Sequence, residues 1–165
     1  MVFGERVLTR PMVRVSLAAG WLVVALISAT TSHAQEVSPG FAGQIQTTLP
    51  ANEQLVGQIQ DTMPTGDLNV VSDQVATTVA TGEDLVQQLT TALSLAPDDA
   101  TRSRIEGVLA HTQAALDSLN LAQTETTLDS ARGRLDQARG EAQEGLDELR
   151  PFVLGLVDTG AITGK

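Results

Sequence analysis

The chain has 165 residues, ten basic and twenty acidic, with no cysteine, no tyrosine and a single tryptophan. A formal net charge of −10 repels phosphate backbones and an aromatic content of 2% leaves no stacking platforms, which excludes nucleic-acid binding. Disulfides and a lipid-modified amino-terminal cysteine are excluded with them.

Residues 1–34 carry the ordered signals of a secretory leader. Arg6, Arg10 and Arg14 make a basic start, and Val15 to Ala29 is free of charge and mostly apolar. The chain turns polar at Thr30-Thr31-Ser32 and places small residues, Ser32 and Ala34, where a signal peptidase reads before Gln35. The apolar core is short against the ~20 residues a transmembrane helix needs. Cleavage after Ala34 is therefore expected, giving a periplasmic or secreted product with no stable membrane anchor. Arg6 and Arg10 are not adjacent, which argues against a twin-arginine signal. On the general export route the chain folds after translocation and carries no cofactor loaded in the cytoplasm.

Residues 35–165 hold 19 acidic and 7 basic residues, a net of 7 − 19 = −12, and every basic residue falls at Arg102 or later. A divalent cation or a basic partner surface is electrostatically permitted; an acidic solubilising surface is the commoner meaning of such a balance. The only aromatic residues here are Phe41 and Phe152, so the core must be aliphatic.

Residues 35–50 read as a flexible leader, punctuated by Ser38-Pro39-Gly40 and Pro50. Gly43-Gln44-Ile45-Gln46-Thr47-Thr48-Leu49-Pro50 then returns as Gly57-Gln58-Ile59-Gln60-Asp61-Thr62-Met63-Pro64, a 14-residue period. Fourteen residues are two heptads, so both copies present one helical face. A short helix is expected over about 51–62, with Pro50 and Pro64 as breakers.

From Asp67 the stripe Leu68, Val71, Val75, Thr78, Gly82, Leu85, Leu89, Ala92 and Ala96 alternates spacings of three and four, a helical period. It stays in phase across Gly82, which predicts one helix over about 67–96, although Thr81 and Asp84 resemble a second start. Ala96-Pro97-Asp98-Asp99 is a stop and restart, with proline expected at the first helical position and two carboxylates in the first turn. The next stripe, Ile105, Val108, Leu109, Thr112, Ala115, Leu116 and Leu119, predicts a helix over about 98–119 ended by Asn120 in a left-handed conformation.

Thr124 or Thr126 is expected to cap a last helix over about 124–150, with the stripe Leu128, Ala131, Leu135, Ala138, Ala142, Gly145, Leu149 and Phe152. Its small residues allow a partner helix to approach closely. Asp129 with Arg132, and Arg132 with Asp136, are expected as surface pairs. Arg150-Pro151 ends or kinks the helix. Phe152 to Val157 is then a cap on the bundle or a sticky patch for a partner, and residues 158–165 a disordered tail.

Short connections make successive helices antiparallel neighbours. The expected fold is all-α: an up-down helical bundle domain over 51–157, with three long helices and one short helix.

The residues suggest no catalytic, cofactor-binding or metal site. A nucleophile needs an adjacent base, yet residues 35–165 have one histidine, His111, with no carboxylate at 107, 108, 114 or 115 to orient it. No phosphate-cradling glycine loop is present. Glu141, Glu144, Asp147 and Glu148 crowd the last helix as oxygen donors without the loop pattern of a calcium hand. The expected function is binding or structural contact, non-enzymatic, with a protein partner or self-association through the heptad-like seams. Acidic low-affinity divalent-cation binding or a stress role, and chaperone-like capture of apolar segments, are the alternatives.

Overall fold

The computed structural model describes residues 37–63 and 65–161; the expected leader, 1–34, lies outside them. Contacts divide the chain into Met1–Ala34 and Gln35–Lys165, and the second unit is an all-helical bundle. Its helices are α1 (Pro39–Thr62), α2 (Leu68–Leu95), α3 (Asp99–Thr124) and α4 (Leu128–Asp158). Among the described residues there is no strand, and no helix is long and apolar enough to cross a membrane.

Each helix packs against the next in sequence, and α4 also packs against α1. Helix α2 is continuous across Gly82 and buries Val71, Val75, Thr78, Gly82, Leu85, Leu89 and Ala92, the expected stripe without its ends, Leu68 and Ala96, which are only partly buried. In α4 the buried set is Ala131, Leu135, Ala138, Ala142, Gly145, Leu146, Leu149 and Val153. The small-residue seam is thus taken up inside the chain.

Buried threonines fit this aliphatic core because each can satisfy its hydroxyl on its own helix. Thr48 donates to the Ile45 carbonyl at 2.8 Å, Thr62 to Gln58 at 2.8 Å, Thr78 to Gln74 at 2.9 Å and Thr112 to Val108 at 2.8 Å. A buried hydroxyl without such a partner would cost about 1–3 kcal/mol. The two sequence copies keep one face: Ile45 and Ile59, Thr48 and Thr62 are all buried on α1.

Several boundaries differ from expectation. Residues 39–50 are not a flexible leader but the first half of α1, and Pro50 sits inside that helix. Ser38 caps it, accepting from the Phe41 N–H at 3.2 Å, and Pro39 takes the first turn, where its missing N–H costs nothing. Phe41, Ile45 and Thr48 continue the buried stripe of Asn52, Leu55 and Ile59. That burial outweighs the ~3 kcal/mol that an interior proline costs. In the same way α4 runs through Pro151, because Val153 is buried and Phe152, Leu156 and Val157 pack on the core. The segment after Pro151 is therefore a continuation of the helix, with Leu154 left exposed.

Caps shifted too. Asp98, not Pro97, starts α3: its carboxylate accepts from Thr101 N–H at 2.7 Å, and Asp99 lies in the first turn. Asn120 does not end α3, which runs on to Thr124 to bury Ala122; no non-glycine residue among those described has positive φ. Thr127 rather than Thr124 or Thr126 caps α4, accepting from Ser130 N–H at 3.3 Å.

The surface pairs differ from expectation as well. Asp136 pairs with Arg139 at 3.3 Å, while Arg132 donates to the carbonyl of Thr65 at 3.2 Å, in the connection between α1 and α2. A guanidinium within reach of a backbone carbonyl gains a charge-assisted bond, whereas an exposed helix-surface pair is worth only a few tenths of a kcal/mol.

Candidate functional site

His111 points from α3 toward two carboxylates of α4. Its Nδ1 lies 3.0 Å from Glu141 Oε2 and 3.5 Å from Glu144 Oε2. Residues three apart on a helix share a face, so α4 delivers both acids to one imidazole. The histidine and Glu141 are partly exposed, at 28% and 32%, and Glu144 is open to solvent at 69%.

Gly145 sets how closely the helices meet here. A Cβ at Gly145 would lie 3.3 Å from His111 Cβ and 3.7 Å from the Val108 carbonyl oxygen, tighter on the first count than most real contacts. The same position is 3.6 Å from Nδ2 of Asn52, which α1 brings in from the other side. Asn52 is 1% exposed, and its Oδ1 has no hydrogen-bond partner. Absence of a side chain at Gly145 thus lets elements of three helices converge beside His111.

The other acids of α4 go elsewhere. Glu148 lies over Gly107, its Oε2 2.7 Å from where a Cβ would stand, and Asp147 accepts from Gln143 Nε2 at 2.9 Å. The ion pairs made by arginines are Arg134 with Glu125, Arg139 with Asp136 and Arg150 with Glu53. Among the described residues no arginine pairs with Glu141 or Glu144. His111 is their one basic partner, so the cluster keeps excess negative charge.

Sequence reasoning tested His111 only against its own helix and so missed these partners, which come from the next one. Chemically, the arrangement presents one imidazole nitrogen and two carboxylate oxygens, all within 4.8 Å of one another, on an open side of the bundle. Such a set can share a proton or hold a cation. Comparison with family models, characterised proteins and solved structures finds no match for this chain.

Proposed function

We propose that the chain is exported through its leader, processed after Ala34, and acts outside the cytoplasm as a non-enzymatic helical bundle that works by binding or contact. The observation that carries this reading is the order of residues 1–34: the basic, apolar and small-residue succession of a secretory leader finishes at Ala34. With the small-residue seams used inside the bundle, a partner would meet outer helix faces rich in acids.

An antiparallel up-down arrangement belongs to the same proposal. Contacting pairs support it by running in opposite directions along paired helices. Glu53 pairs with Arg150 and Thr65 with Arg132; Arg104 lies over the Phe152 ring, His111 meets Glu141, and Glu125 pairs with Arg134. Spin labels at 53 and 150 should read a shorter distance than labels at 53 and 132, and the reverse order would overturn the arrangement.

Export is tested by fractionating expressing cells and determining the mass of the product. A periplasmic or secreted species beginning at Gln35 is expected. Because the sole tryptophan, Trp21, precedes the cut, that species should lack tryptophan fluorescence. A full-length cytosolic product would defeat the proposal. Crosslinking in the native compartment then identifies what the bundle touches.

A further inference from the structure

We propose that His111, Glu141 and Glu144 form a binding site for a divalent transition metal of the zinc class, held between α3 and α4. This goes beyond the contact reading and does not depend on it.

Donor geometry is the first argument. Metal–ligand bonds of about 2.0–2.2 Å place neighbouring donors about 3.0 Å apart in octahedral and about 3.4 Å apart in tetrahedral coordination. His111 Nδ1 stands 3.0 and 3.5 Å from the two carboxylate oxygens, and the whole set fits within 4.8 Å. Three donors converge from one side, while the exposure of Glu144 leaves the other side open for water or a partner's ligand.

Charge is the second. Two carboxylates face a single imidazole; among the described residues no arginine pairs with either, while Arg134, Arg139 and Arg150 pair with other acids. Like charges held together with so little compensation favour a cation between them.

The third concerns what lies beside the histidine. Asn52 is buried with a vacant acceptor, and its amide shares the space over Gly145 with His111 Cβ. An orphaned acceptor in a core is costly. Metal-bound imidazoles hold their remaining ring N–H on an acceptor or an ordered water, and Asn52 brings an unfilled acceptor to the same helix crossing as His111.

Ligand chemistry then selects the ion. Calcium and magnesium take all-oxygen sites, whereas an imidazole with carboxylates suits zinc, copper, nickel and cobalt.

Calorimetric titration of the full chain with Zn2+ and with Ca2+ tests the site, in a His33→Ala background that removes the only other histidine. One Zn2+ per chain is expected, bound at least about tenfold more tightly than Ca2+. His111→Gln and Glu144→Gln should each weaken Zn2+ binding by about tenfold or more, with unchanged circular dichroism. Glu144 is largely exposed, so its variant keeps the fold and keeps the test decisive. Replacing Zn2+ by Co2+ should give a visible ligand-field spectrum that His111→Gln abolishes. Zn2+ binding unaffected by both substitutions, equal affinity for Ca2+, or no heat at all would overturn the proposal and leave an ordinary ion pair.

Discussion

Leu116 occupies the space that a side chain at Gly82 would need. A Cβ built on Gly82 falls 2.6 Å from Leu116 Cδ2 and 3.1 Å from its Cγ. Gly82 in α2 is thus a socket for a leucine of α3.

The socket makes Gly82→Ala a contest of two terms. Helix propensity favours alanine by ~1 kcal/mol, and overpacking costs about 1–3 kcal/mol. Because both a terminal and a branch carbon of Leu116 are too close, the clash should prevail and stability should fall by about 1 kcal/mol in urea unfolding. In a Leu116→Ala background the same substitution should turn stabilising by up to ~1 kcal/mol. Equal effects in both backgrounds would remove Leu116 from the account.

Gly133 and Gly140 are the converse case. Both are exposed on α4, and a Cβ at either meets nothing within 4 Å. Gly133→Ala and Gly140→Ala should each raise stability by about 0.5–1 kcal/mol and add in the double variant. Denaturant midpoints check this; a loss in either would mean that the glycine serves something other than the helix.

Pro50 is exposed on α1 and interrupts its hydrogen-bond ladder. Pro50→Ala should stabilise the bundle by about 1–3 kcal/mol, the interior-proline cost less the ~1 kcal/mol of entropy the unfolded chain regains. Thermal unfolding that moves downward would show the proline to be fitted rather than tolerated.

Leu89 is fully buried, whereas Gln87 is exposed two residues away. Leu89→Asp should cost about 4 kcal/mol or more, as an unpaired carboxylate in an aliphatic core, and Gln87→Asp less than about 0.5 kcal/mol. Comparable losses would place the stripe out of phase.

The helical stripes were legible because burial repeats at three and four residues, and that period survives threonine and glycine substitutions, as at Thr78 and Gly82. Ends were less legible. Pro50 and Pro151 carry a strong local preference to stop, and the decision to continue lies with Phe41 and Val153, which find burial only after the chain has folded. His111 was visible as a residue but not as a site. Its partners stand 30 and 33 positions away on the neighbouring helix. Only the packing of α3 against α4 brings 111 beside 141. Asn52 was hidden for the same reason, since a polar residue on an apolar stripe announces burial and not what lies beside it.

Arg132 reaches from the start of α4 to the Thr65 carbonyl, in the link between α1 and α2. Since α4 also lies along α1, the four rods close into a ring and no rod is an outermost one. Truncation before residue 128 would therefore strip a neighbour from two helices at once, α1 and α3.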